Sequence, residues 1–120
     1  MQGTSFLPML KGQQVSNWRN KVFYEYYWEA AFPQTPTVFA VRSDRYKYIF
    51  NYGIWDINEL YDLQEDPNEM NNLIRNPAME KVGMQLRDEL FTWLEETNGL
   101  QIPLKKQRGK RFDNLYNKTY

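Results

Sequence analysis

The side chains able to do chemistry in this chain are carboxylates and hydroxyls, because its 120 residues include no histidine and no cysteine. That removes thiol nucleophiles, Cys/His zinc sites and the commonest general base together. Glu25 and Glu29 are the first pair to weigh, set in the aromatic run Tyr24-Glu25-Tyr26-Tyr27-Trp28-Glu29. Paired carboxylates suit glycoside hydrolysis at a separation of about 5–9.5 Å. Residues four apart on a strand share a face at about 13 Å, so solvated or paired strand carboxylates are the simpler reading. Asp62, Glu65, Asp66 and Glu69 make a second acidic cluster. It lacks the EF-hand spacing, and Asp66 and Glu69 have a competing use as helix caps. The six glycines are scattered and form neither G-x-G-x-x-G nor a phosphate-binding P-loop. Tyr26, Tyr27 and Trp28 could stack on a sugar ring or serve as core and interface residues.

Periodicity supplies the elements that must position these side chains. From Lys21 to Glu29, Val22, Tyr24, Tyr26 and Trp28 alternate with Phe23, Glu25, Tyr27 and Glu29. The first set is wholly apolar or aromatic, which predicts a strand with that set on the core face. A proline-limited loop over residues 32–36 follows. Thr37–Arg42 and Arg45–Asn51 read as a hairpin around Ser43-Asp44, a weaker turn signal than Asn-Gly that leaves the turn type open. Glu59–Leu63 reads as a further short strand.

Helix signals come next. Asp66-Pro67-Asn68-Glu69 has a capping-box arrangement and predicts a short helix from Pro67 to about Ile74. Asn76-Pro77 repeats the start signal before Met79, Val82, Leu86, Leu90, Trp93 and Leu94, which recur at helical spacing. Asn98-Gly99 closes that helix, with Gly99 as the expected positive-φ residue. The expected fold is α+β: about four antiparallel strands with one long C-terminal amphipathic helix packed on one face. A helix covers only one face of a sheet, and aromatics left on the other form a partner surface.

Composition sets the outer limits. An aromatic share of 17% argues against disorder in the body of the chain. The formal charge is zero, which gives no ground for a nucleic-acid partner. That zero hides an asymmetry: residues 1–100 carry 9 Lys/Arg and 14 Asp/Glu, residues 101–120 carry 6 and 1. The basic tail reads as a solvated terminus lying on an acidic body, or as an attractor of a sulfated or other polyanionic ligand. No apolar run approaches the roughly 20 residues of a membrane-spanning helix. Met1–Ser5 is polar with no apolar stretch of signal-peptide length behind it.

Two stretches carry a family resemblance. Thr37-Val38-Phe39-Ala40-Val41-Arg42-Ser43-Asp44-Arg45-Tyr46-Lys47-Tyr48-Ile49 resembles the C-terminal hairpin of the sulfatases. Glu59-Leu60-Tyr61-Asp62-Leu63, followed by Asp66-Pro67, Glu69 and Asn72-Leu73, resembles the ELYDL, DP-x-E, NL signature of the same family. Order and spacing together make the pair specific. Gly3 to Gly12 is similar to the stretch that leads into this subdomain, and Phe23–Tyr26 with the 32–37 loop is similar to bacterial members acting on sulfated glycans. The resemblance covers residues 3 to about 98.

The resemblance implies a division of the chain. Residues 1–20 would be a linker segment from an N-terminal catalytic domain, 21–99 the C-terminal subdomain, and 100–120 a basic tail. It implies hydrolysis of sulfate esters by a formylglycine made from Cys or Ser within C/S-x-P/A-x-R, beside a calcium ion. Ser5, Ser16 and Ser43 lack that context, so calcium and formylglycine are expected in the N-terminal domain and no catalytic residue or cofactor in this chain. In the family the loop before the hairpin approaches the active-site mouth, which nominates Trp28, Glu29, Thr35 and Thr37 as substrate-facing. Thr37-Val38 stand where many relatives have Arg-His, a departure that bears on substrate. The implied partners are the sulfatase catalytic domain, in cis or in trans, and a sulfated glycan; the implied location of the whole enzyme is exported or periplasmic. A glycan-binding or protein-interaction module without catalysis, and an accessory subunit for a separate catalytic chain, are the competing readings.

Overall fold

The computed structural model describes residues 4–28, 35–52 and 57–101. A single-turn helix α1 (Leu7–Leu10) precedes strands β1 (Lys21–Tyr26), β2 (Thr37–Ser43), β3 (Tyr46–Tyr52) and β4 (Glu59–Asp62), and a 3-10 turn (Pro77–Met79) leads into helix α2 (Glu80–Glu96). The strands lie in chain order, β1-β2-β3-β4, and every neighbouring pair is antiparallel. The α+β architecture is therefore the expected one: four strands and one long C-terminal helix.

Helix α2 buries Gly83, Leu86, Leu90 and Leu94 along one stripe. These leucines meet Phe39 and Val41 of β2, Tyr48 of β3 and Leu60 of β4 in one core cluster. Aromatic pairs extend the core to its rim. Phe23 stacks on Trp93 with ring centroids 4.9 Å apart, and Phe50 meets Phe91 edge-on at 5.1 Å.

The facing of β1 is the reverse of the sequence expectation. Phe23 and Tyr27 pack against the core, whereas Val22 and Tyr24 are 53% and 54% exposed. Both alternating sets carry aromatics, so a period of two marks two faces without saying which is inside. The polar members of the inward set decide it. Lys21 pairs with Glu89 of α2, and the Tyr27 hydroxyl donates to the carbonyl of Gly99 just beyond α2. The inward set thus carries both apolar rings for the core and polar ends matched to groups on and beside the helix.

The β2–β3 hairpin closes without a left-handed residue, since neither Asp44 nor Arg45 has positive φ. The primed turns that favour two-residue hairpins need one. Ser43 substitutes for that geometry: its hydroxyl accepts from the Tyr46 amide at 3.0 Å and donates to the Tyr46 carbonyl at 3.1 Å. Arg45 then reaches β4, with its Nη2 2.8 Å and its Nε 3.1 Å from Asp62 Oδ2. Asp62 Oδ1 also accepts from the Gln64 amide at 3.1 Å, so this buried carboxylate ties the hairpin to the end of β4.

The short helix expected from Pro67 to about Ile74 is absent; the segment is turns. Glu69 adopts φ +55°, and a left-handed residue ends any right-handed helix. The capping groups are used otherwise. Asp66 accepts from the Asn71 amide at 2.7 Å, and the Glu69 carboxylate reaches out to Lys47 at 2.7 Å. The segment runs beside β4 instead: Asn72 Oδ1 accepts from the Leu60 amide at 3.0 Å, and the Leu73 amide donates to the Leu60 carbonyl at 2.8 Å. Its backbone and side chains bond the outer edge of β4, which blunts a strand edge that would otherwise recruit another chain.

At the far end of α2 the left-handed residue is Asn98 (φ 57°), not Gly99. Gly99 serves close approach: a Cβ there would lie 2.7 Å from both Glu25 Oε2 and Leu94 Cδ2. At the near end Asn76 caps as expected, its Oδ1 accepting from the Ala78 amide at 3.0 Å.

Leu90 is fully buried, so Leu90→Ala is expected to lower unfolding free energy by about 2–5 kcal/mol, read as a lower urea midpoint at unchanged slope. The Asp62 carboxyl is held below its ordinary value of 3.8 by the Arg45 guanidinium and by the Gln64 and Glu65 amides, against burial. A depressed carboxyl contributes stability above its unfolded value and loses it as pH falls through the folded one. Asp62→Asn is therefore expected to destabilise at neutral pH, with the gap to the parent chain narrowing below pH 3.8 in acid titrations of folded signal.

Candidate functional site

Beyond β1 the chain passes through Tyr27 and Trp28 and returns through Thr35 into β2. The corner is cross-tied, with the Trp28 amide donating to Thr37 Oγ1 at 2.8 Å. Thr37 is buried at 4% exposure, while Trp28 keeps 44% of its surface open. Thr35 is half-buried and engaged with another group. Three of the four nominated side chains are therefore placed here, and Trp28 and Thr37 are joined directly. Glu29 lies outside the described residues.

A second link braces the same corner. The Tyr27 hydroxyl lies 3.0 Å from Glu25 Oε2 and also reaches the Gly99 carbonyl. Burial first, then the bond to and charge of Glu25, push the Tyr27 hydroxyl up to about 12. It stays protonated at neutral pH and acts as a donor, not as a base or nucleophile. Sequence reasoning missed this brace because nothing at Asn98-Gly99 marks a carbonyl as the partner of a tyrosine 72 residues earlier.

Several of the remaining carboxylates are committed to structure. Asp62 serves Arg45, Glu69 serves Lys47, Asp66 serves the Asn71 amide and Glu89 serves Lys21. Glu59 Oε1 accepts from the Tyr61 hydroxyl at 2.7 Å, which with burial pushes that phenol up to about 12 as well. Among the described residues no group of three or more His, Cys, Asp or Glu side chains could hold a metal ion. Asp62, Asp66 and Glu69 of the acidic cluster thus resolve into separate structural bonds, and Glu65 contributes its backbone amide to Asp62. Among the described residues the Ser43 hydroxyl closes the hairpin and the Ser5 hydroxyl accepts from the Leu7 amide, so neither is paired with a general base there.

The described residues thus form a four-stranded meander with one long covering helix, with Asp62, Asp66, Glu69 and Glu89 bonded within that scaffold. A family model described as N-sulphoglucosamine sulphohydrolase, C-terminal, matches residues 1–96, and the chain belongs to that sulfatase family. It is 33% identical over 99 residues to an N-acetylglucosamine-6-O-sulfatase of Bacteroides thetaiotaomicron, a match covering 81% of this chain and 17% of the relative. It is 35% identical over 112 residues to a Δ4,5-hexuronate-2-O-sulfatase of the same organism, covering 93% of this chain and 23% of the relative. A solved structure in complex with its substrate D-glucosamine-2-N,6-O-disulfate superposes with a TM-score of 0.71 at 27% identity, over 87% of this chain and 22% of the other. The chain therefore spans about a fifth of the length of these relatives.

Among the described residues nothing fits the calcium that the family implies, and the serines lack the sequence context for its formylglycine. The described carboxylates form no metal-holding group. None of the three serines has Pro or Ala at the second following position together with Arg at the fourth.

Raised phenol values have a stability consequence of definite sign. A group whose folded value is raised stabilises below its unfolded value and loses that contribution as pH rises through the folded one. The window for Tyr27 and Tyr61 runs from 10.0 to about 12. Alkaline unfolding followed by circular dichroism is expected to begin in that window, and Tyr27→Phe to remove part of the loss while lowering stability at neutral pH.

Proposed function

We propose that this chain is the C-terminal part of a sulfuric ester hydrolase acting on sulfated glycans. It supports a catalytic domain, in cis or in trans, and does no chemistry by itself. Calcium and formylglycine belong to that catalytic domain. The reading rests above all on one observation: the model for the C-terminal part of a sulfatase matches residues 1–96, a stretch that makes up about a fifth of the curated relatives. The substrate class follows the relatives, whose names specify sulfated amino sugars and hexuronates. Trp28, Glu29, Thr35 and Thr37 form the part that meets the glycan. The exposed Trp28 ring supplies a stacking surface, and buried Thr37 fixes the backbone that carries it.

The purified 120-residue chain is expected to show no turnover of an aryl sulfate. Joined to, or mixed with, a catalytic domain bearing C/S-x-P/A-x-R, it is expected to support turnover of a sulfated oligosaccharide. In that assembly Trp28→Ala should lower kcat/KM by about tenfold, the worth of roughly 1.4 kcal/mol of lost ring stacking. Turnover by the chain alone overturns the proposal. Glycan binding by the isolated chain that weakens as salt is raised, with no turnover in any assembly, supports the binding-module reading in its place.

A further inference from the structure

Helix α2 covers one face of the sheet, and the other face is not uniformly open. At the β4 end Tyr61 is buried, and the 63–76 segment is tied down by the ion pair between Glu69 and Lys47. At the β1 end Val22 and Tyr24 stand more than half exposed. Tyr24 lies opposite Ala40, which lies opposite Ile49; Val22 lies opposite Arg42. The floor of the patch is thus aliphatic, and Arg42 borders it as an exposed cation with no ion-pair partner among the described residues. Its cross-strand neighbour Lys47, by contrast, is paired. The outward side of α2 is a solvated face by contrast: Glu80, Lys81, Gln85, Asp88, Glu95 and Glu96 are exposed there, with Met84 a single apolar side chain among them.

From this contrast we propose that the open face carrying Val22, Tyr24 and Arg42 is the seat of the sulfatase catalytic domain, through an apolar surface that presents a carboxylate to Arg42. The inference rests on the functional reading above and adds the face by which the domain docks. Two observations select this occupant. More than three quarters of each relative lies outside the matched stretch, so a far larger body accompanies this domain there. The patch also combines what a domain interface needs, an apolar centre with a directional charge at its rim.

The absence of cysteine makes the test clean. Val22→Cys, Tyr24→Cys and Met84→Cys each introduce one thiol, the last on exposed helix surface. In the 120-residue chain alone all three are expected to react quickly with a maleimide. In the assembly with the catalytic domain, the thiols at 22 and 24 should slow by about tenfold or more, measured by mass spectrometry of the labelled peptides, while that at 84 keeps its rate. Arg42→Glu should lower the melting temperature of the assembly more than that of the isolated chain. An assembly that turns over sulfated substrate yet leaves positions 22 and 24 at their isolated rate overturns this docking face and leaves the functional reading standing. A chain that neither carries nor captures a catalytic domain overturns both.

Discussion

Everything in this domain depends on a one-sided contact, the leucine stripe of α2 against the inner residues of β2, β3 and β4. Leu90 and Leu94 are fully buried there, as is Val41 beneath them. Because one long helix covers the sheet among the described residues, the face beneath it is the main dry one, and each strand commits side chains to it. That constraint explains the reversal at β1. Phe23 and Tyr27 go inward because Trp93 and the end of α2 offer a ring and a carbonyl that fit them. Val22 and Tyr24 find no equivalent among the described residues.

The same economy governs the charges. A small core leaves long loops to be held by other means, and here side chains bond the backbone where regular ladders stop. Asp62 accepts from two amides and a guanidinium, and Asn72 bridges β4 and the segment beyond it. These are the acidic and amide residues that make up the most recognisable stretch of the sequence. Their pattern looks like a cluster for chemistry and is instead a fastening.

Helix α2 was legible in its apolar face and its Asn76 start, since spacing and cap act locally. The four strands were legible as well, to within a residue or so at most ends. What failed were choices that depend on distant partners. The inward face of β1 is set by Glu89 and Gly99, about seventy residues away in sequence. The helix expected after Asp66-Pro67 loses to Lys47, which draws Glu69 out of its capping role. Gly99 was read as a conformational signal and proved to be a steric one, with Asn98 bending the chain. Of the candidate site, the Trp28–Thr37 corner was visible only through family resemblance; its hydrogen bond has no signature in composition or spacing.

The meander order of the strands carries a kinetic consequence. Each of its three pairings joins neighbours in the chain, so the sheet can zip up with short loops closed one after another. The contacts between β1 and the helix end, Lys21 to Glu89 and Tyr27 to Gly99, span 68 and 72 residues. With the Phe23–Trp93 stack they are among the most sequence-distant contacts of the described residues, and they hold an edge strand, so they are expected to form late and to open early. The strand that offers its outer face to solvent is therefore also the one whose attachment to the helix is expected to loosen early.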